Sequence, residues 1–155
     1  MRRTRAMLLM AGLLSAALSG CGPTMTSPQG YVRLKEPGWT YGRRFVSADG
    51  VYVGLRKPQP AEKGTLDFWV KAIENELTVG KGYTPVKSSE LTSGDGAVGR
   101  CMDFAATVDD REMRYAVAVW VAGGRVVVAE AGGPKQPFDT DRALIEAALR
   151  GVTVR

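Results

Sequence analysis

Apolar and polar positions divide the chain into three stretches. Residues 6–20 carry no charge, and positions 7–14 are almost all strongly apolar. Residues 22–30 are rich in Pro, Gly, Ser and Thr and show no apolar periodicity. From about Thr40 the pattern becomes that of a folded domain. Two short β-leaning runs, 41–47 and 51–56, flank Ala48-Asp49-Gly50, and Asp-Gly is a strong hairpin signal. Pro58 and Pro60 end the second run. Leu66, Trp69, Val70, Ile73 and Leu77 then recur at helical spacing behind Thr65, a residue suited to an N-cap, and Gly80 and Gly82 stop the run. This spacing predicts an amphipathic helix over 66–78.

Strand patterns follow. Residues 84–92 are β-like, and Gly94-Asp95-Gly96 turns the chain. Residues 97–108 alternate, with Val98, Met102, Phe104, Ala106 and Val108 on one face. Runs 113–122 and 125–131 are β-branched and aromatic around Gly123-Gly124, and are apolar at nearly every position. Such strands are central in a sheet or covered on both faces. A loop is expected over 132–137, then a helix over 142–150 capped by Asp139 or Thr140, with Ala143, Leu144, Ala147 and Ala148 toward the sheet. Gly151 suits a helix C-terminus. Residues 152–154 add a short terminal strand.

The order ββ-α-ββββ-α predicts an α+β domain, an antiparallel sheet of about six strands covered by two helices. It resembles the PsbP-like α/β/α sandwich, to which the Ran-binding nuclear import factors and DcrB-type bacterial lipoproteins also belong. The features that carry this resemblance are the early hairpin ending at Arg56-Lys57-Pro58 and the helix beginning Leu66-Asp67-Phe68-Trp69. With them go the strand pair 115–128 across Gly123-Gly124, and Phe138-Asp139 leading into Ala143-Leu144-Ile145. It covers about residues 40–154. It implies a domain that binds or assembles other proteins and has no common active site, so no site residue is carried over from it.

The first stretch is an address. Arg2, Arg3 and Arg5 precede the apolar run, which is shorter than the about 20 residues a membrane-spanning helix needs. The three-part layout is that of a secretory signal peptide over residues 1–20. Its end, Leu18-Ser19-Gly20-Cys21, resembles the lipobox of bacterial lipoproteins. That resemblance implies cleavage between Gly20 and Cys21 and lipidation of Cys21. Two or three acyl chains hold firmly where one is marginal, each buried CH₂ adding about 0.8 kcal/mol. Residues 21–39 then read as lipidated Cys and flexible tether, and 40–155 as one globular domain. Gly22, where an Asp would signal inner-membrane retention in the lipoproteins of two-membrane bacteria, permits transport to the periplasmic face of the outer membrane.

Composition narrows the chemistry. The chain has 155 residues with no His, so Ser-His-Asp, Cys-His and His-metal sites are excluded. Its two Cys are too few for a four-ligand zinc site. The net charge of +5 falls to +2 once Arg2, Arg3 and Arg5 leave with the signal peptide, which removes the case for nucleic acid as a partner. Cys101 reads as a small buried hydrophobe, and Gly80-Lys81-Gly82 and Gly94-Asp95-Gly96 as turns rather than phosphate loops. Asp109-Asp110-Glu112 reads as a solvated turn. Glu130, alone among apolar neighbours, reads as ion-paired to a strand Arg such as Arg100 or Arg114, with a general acid as the rival reading. Lys87-Ser88-Ser89 and the pair Glu74 and Glu76 assemble no site. No catalytic residue, cofactor or metal is expected.

One charge asymmetry remains. Residues 31–63 hold seven bases against three acids, and residues 64–155 hold eleven against thirteen. Arg33, Lys35, Arg43, Arg44, Arg56 and Lys57 are therefore a candidate face toward a protein partner or toward anionic headgroups, with a solvated surface as the plainer reading, and Trp39, Tyr41 and Tyr52 in the same stretch belong either to such a face or to core and edge strands. The functional expectation is a lipid-anchored, non-enzymatic envelope lipoprotein that binds or helps assemble another protein. The alternative is a carrier or sensor of a small apolar or anionic ligand held between sheet and helix.

Overall fold

A computed structural model describes residues 22–35 and 38–155. Cys21, the cleavage position and the signal sequence lie outside the described residues. The architecture is an antiparallel sheet with helices on both faces. In chain order its elements are β1 (Val32–Arg33), β2 (Tyr41–Val46), β3 (Tyr52–Arg56), β4 (Gln59–Pro60), α1 (Leu66–Asn75), β5 (Thr84–Thr92), β6 (Val98–Val108), β7 (Arg111–Ala122), β8 (Arg125–Pro134), α2 (Lys135–Thr140) and α3 (Arg142–Arg150). The sheet has eight strands rather than six, in the order β1-β2-β3-β8-β7-β6-β5, with β4 beside β8. The two added strands, β1 and β4, are two residues each, too short for an alternation to show in sequence.

The predicted alternation sorts residues between two cores. On one face of the sheet Val53, Leu55, Ala116, Ala118, Trp120, Val127, Ala129 and Ala131 pack with Phe138 of α2 and Ile145, Ala148 and Leu149 of α3. On the other, Met102, Phe104, Val117, Val119 and Val126 pack with Leu66, Trp69, Val70 and Ile73 of α1. β7 and β8 are thus apolar on both sides because both sides are covered. In β6 only Met102 and Phe104 of the expected stripe are buried, while Val98 and Val108 lie at its solvent-facing ends.

The helices depart from expectation in three places. Thr65 caps α1 as predicted, its Oγ1 accepting from the Phe68 N–H at 3.2 Å. The helix then widens into a π-helical turn, Glu76–Gly80. The expected loop over 132–137 is instead the end of β8 followed by α2. Pro137 fits there because the third residue of a helix has no N–H partner to lose. In α3 the buried residues are Ile145, Ala148 and Leu149, and Ala143, Leu144 and Ala147 face outward. Asp141, not Asp139 or Thr140, precedes the helix, without a side-chain cap bond.

The largest correction concerns the tether. Thr24 and Thr153 form an antiparallel bridge, with reciprocal N–H to carbonyl bonds of 3.0 Å and a hydroxyl pair at 2.6 Å. Met25 is 1% exposed, and Tyr31 donates to Asp141 Oδ2 at 2.8 Å. The segment from Thr24 therefore belongs to the domain, since burying the Met25 side chain and closing the bridge offset the entropy of ordering it. The two residues on either side of Thr153 join the same core rather than forming a strand of their own.

The sheet's two edges differ. β1 is two residues long, whereas β5 runs for nine with a register shift between Pro85 and Lys87. No helix among the described residues is long and apolar enough to cross a membrane.

Candidate functional site

α1 packs mainly over β6 and β7, and on that same face β2, β3 and the end of β8 carry a polar aromatic cluster instead of a helix. At its centre is Glu130 of β8, 1% exposed. Its register partners Gly54 and Val117 place it on the α1 side of the sheet, in phase with Val126 and Val128. A buried carboxylate survives only when hydrogen-bonded and paired. Glu130 meets that demand with three neighbours. Arg56 donates from Nε to Oε2 at 2.8 Å and approaches it with Nη2 at 2.6 Å. The Tyr115 hydroxyl donates to Oε2 at 2.6 Å, and the Tyr41 hydroxyl donates to Oε1. The partner is therefore Arg56, from across β3, and not Arg100 or Arg114. Arg114 instead lies 3.6 Å from Asp139.

Local irregularities build this cluster. The register of β2 on β3 shifts between Tyr41 and Arg43, so Gly42 is the extra residue of a bulge. In a regular strand Tyr41 and Arg44, three apart, would point to opposite faces; the bulge puts both over Gly54 and Glu130. Two glycines make room. A Cβ on Gly54 would stand 2.8 Å from the Tyr41 ring, and one on Gly132 would stand 2.8 Å from the Tyr52 ring. The two tyrosines lie flat on the sheet where those side chains are missing. The Arg44 guanidinium sits 4.5 Å from the Tyr52 ring centroid and 5.1 Å from that of Tyr41. Its Nε is buried with no hydrogen-bond partner among the described residues.

The electrostatics follow from this burial beside one negative charge. The Tyr41 hydroxyl is pushed up to about 12, by burial first and then by its bond to Glu130 and that carboxylate's charge. Burial, then the Glu130 charge, raises Tyr52 and Tyr115 as well. For Arg56 burial works toward a lower value, and the Glu130 carboxylate reverses this and holds the guanidinium above its ordinary range. Tyr41 and Tyr115 thus stay neutral donors to Glu130. Both carboxylate oxygens of Glu130 are engaged from within the fold.

The six expected basic residues do not form one face. Arg44 and Arg56 are drawn into this cluster. Arg43 points to the opposite side of the sheet, where its Nη1 donates to the Met25 carbonyl at 3.3 Å. Arg33 pairs in register with Phe45 on that opposite side. Lys35 and Lys57 are exposed. The sequence reading placed Tyr41 and Tyr52 beside the basic stretch without joining them to Glu130, and it missed Tyr115. The only signal available to it was a lone Glu in an apolar strand.

Other chemistry is spare. Cys101 lies in a cleft of about 80 Å³ between α3 and β5–β6, lined by Lys87, Asp103, Arg142 and Glu146 among others. That is well below the roughly 300 Å³ at which small-molecule pockets begin. Burial first, then Asp103, pushes the Cys101 thiol up to about 12, so thiolate is scarce. Among the described residues no group of acidic or Cys side chains is placed to hold a metal ion.

Comparisons with known proteins converge on the fold. No protein-family model matches the chain, and no curated protein matches it in sequence. Solved structures do. LpqN of Mycobacterium tuberculosis, described as involved in cell envelope biogenesis, is 15% identical, covering 84% of this chain and 82% of its own with a TM-score of 0.62. The Ran-binding protein Mog1p of Saccharomyces cerevisiae is 14% identical over 88% of this chain and 92% of its own, with a TM-score of 0.61. Cyanobacterial PsbP from Synechocystis is 13% identical over 86% and 87%, with a TM-score of 0.59. The fold is therefore PsbP-like; at such identities the likeness carries the fold alone.

Proposed function

We propose that this chain is a lipid-anchored lipoprotein of the bacterial envelope whose domain binds another protein and performs no catalysis. The anchor rests on the order of basic residues, apolar run and Leu18-Ser19-Gly20-Cys21. The binding role rests above all on Arg44, a cation held between two tyrosine rings on a sheet face that α1 leaves open, with no carboxylate partner among the described residues. Arg and Tyr on a rigid support are the residue types that dominate protein interfaces. A carboxylate side chain on the partner is the group that completes Arg44. Envelope biogenesis in the LpqN description and Ran binding in the Mog1p description agree with such a role.

The test is co-purification from detergent-solubilised envelopes after in-cell crosslinking, comparing wild type with Arg44→Glu, each verified as folded by circular dichroism. The expected result is a partner enriched by wild type and lost from Arg44→Glu. Equal recovery from both, or none from either, refutes the binding role. Intact mass reads the anchor separately. A product lacking the signal peptide and heavier by two or three acyl chains is expected, and an unacylated product refutes it.

A further inference from the structure

The anchor and the fold together fix an orientation. We infer that the end of the sheet carrying Thr24 is a membrane-contact face, with Trp39 and Phe68 seated at the headgroup level of the bilayer that holds the lipid. This rests on the acylation of Cys21 proposed above.

The argument begins with length. Only Gly22 and Pro23, three residue steps in all, separate Cys21 from Thr24, which is already bridged to Thr153. Three residues of extended chain reach about 10 Å. No long leash is left, so whatever lies beside Thr24 lies beside the bilayer.

What lies beside Thr24 can be followed through hydrogen bonds. The Gly94 N–H donates to the Val152 carbonyl, and Asp95 accepts from the N–H groups of Val154 and Arg155, so the β5–β6 turn is at this end. β6, β7 and β8 are mutually antiparallel, which sets the β7–β8 turn at Gly123–Gly124 at the same end. The Ala61 N–H donates to the Gly124 carbonyl, and the Gly64 N–H to the Ala61 carbonyl, which brings in the start of α1. The Lys57 N–H donates to the Thr40 carbonyl, which brings in the start of β2.

This end carries the two most exposed aromatic side chains. Trp39 is 95% exposed and Phe68 is 58% exposed. Phe68 borders an open apolar notch formed with Ala61, Gly64 and Trp69. Tryptophan is favoured at the water–lipid boundary, where its ring is apolar and its N–H stays wet. Charge alone does not select this face. Lys57, Lys63, Arg125, Arg150 and Arg155 are opposed here by Glu62, Asp67 and Asp95. The aromatic pair and the short link carry the contact, and the open face around Arg44 stands on the side of the domain, free for a partner.

The test uses the acylated full-length product, purified in detergent, checked by intact mass and reconstituted into phosphatidylethanolamine–phosphatidylglycerol vesicles with brominated acyl chains. Bromine quenches tryptophan emission at close range. The difference in emission between wild type and Trp39→Phe isolates Trp39. In the Trp39→Phe background, Phe68→Trp reports on the same end, and Val108→Trp reports on the opposite end. Expected is quenching of the reporters at positions 39 and 68, with the reporter at position 108 matching its emission in unbrominated vesicles. If the acylated protein leaves positions 39 and 68 unquenched, or quenches position 108 equally, the contact face is overturned and the anchor stands. If intact mass shows no acyl chain, the anchor is refuted and the contact face with it.

Discussion

Removing the Glu130 carboxylate tests the central cluster most directly. In Glu130→Ala the Arg56 guanidinium loses its counter-charge and the hydroxyls of Tyr115 and Tyr41 lose their acceptor. Breaking a buried ion pair from one side costs about 3–5 kcal/mol. The Arg56 side chain is 38% exposed, so water recovers part of its solvation and the pair's share falls to about 1–2 kcal/mol. Each hydroxyl left unpaired adds about 1 kcal/mol or more, the deeper Tyr115 more than Tyr41. The expected loss is about 3–4 kcal/mol, a large fraction of the roughly 5–15 kcal/mol typical of a whole domain. Glu130→Gln keeps an acceptor for the tyrosines but places no charge against Arg56, and a loss of about 1–2 kcal/mol is expected. Glu130→Leu combined with Arg56→Met removes both charges. It is expected to be less destabilised than the sum of the single changes by about 1–3 kcal/mol. Urea unfolding followed by far-ultraviolet circular dichroism, with the slope checked for constancy, reads all of these. A Glu130→Ala protein within about 0.5 kcal/mol of wild type, the scatter of ordinary surface substitutions, would refute the reasoning. So would strict additivity in the double variant.

Three further outcomes follow from the same geometry. The folded-state value of Tyr41 lies above its ordinary 10.0, so its contribution is whole below 10.0 and is lost as pH rises from there through about 12; the tyrosinate absorbance that wild type shows and Tyr41→Phe lacks should rise over that window, and its rise at 10.0 in folded protein would contradict this. Cys101 should resist an aromatic disulfide reagent in the native protein and react at once in urea, whereas rapid native reaction would show an accessible thiolate. A methyl group at Gly99 would overlap the Trp120 indole and the Val119 carbonyl, so Gly99→Ala should cost about 1–3 kcal/mol in urea unfolding, and a neutral outcome would mean that the β6–β7 contact yields freely.

The parts of the fold that could be read from the sequence are those where one residue pattern had one physical cause. The continuous apolar runs of β7 and β8 announced strands covered on both faces, and the Leu66-to-Leu77 spacing announced α1. The tether was misread because Met25 and Tyr31 are single apolar residues in a Pro- and Ser-rich segment. What holds them, the Thr24 bridge to Thr153 and the Tyr31 bond to Asp141, reaches more than a hundred residues along the chain. α3 was placed correctly, but its face was set by Ile145 and Leu149 reaching the core, which alanines at neighbouring positions do not compete with. The candidate site was the least legible. Glu130 stood out, but the bulge at Gly42 decides that Tyr41 and Arg44 share its face, and no local pattern announces a bulge. The basic cluster seen along the chain dissolved for a different reason, because regular alternation sends Arg43 and Arg44 to opposite sides.

The unequal edges of the sheet limit how copies of this protein can join. Strand-to-strand growth needs two open backbone ladders per copy, one to receive and one to offer. β5 provides one of useful length, and the two residues of β1 provide almost none. Two copies meeting along β5 would use up both long ladders in a closed, two-fold pair. Filaments built by backbone pairing are thereby disfavoured by the unequal edges of the sheet itself.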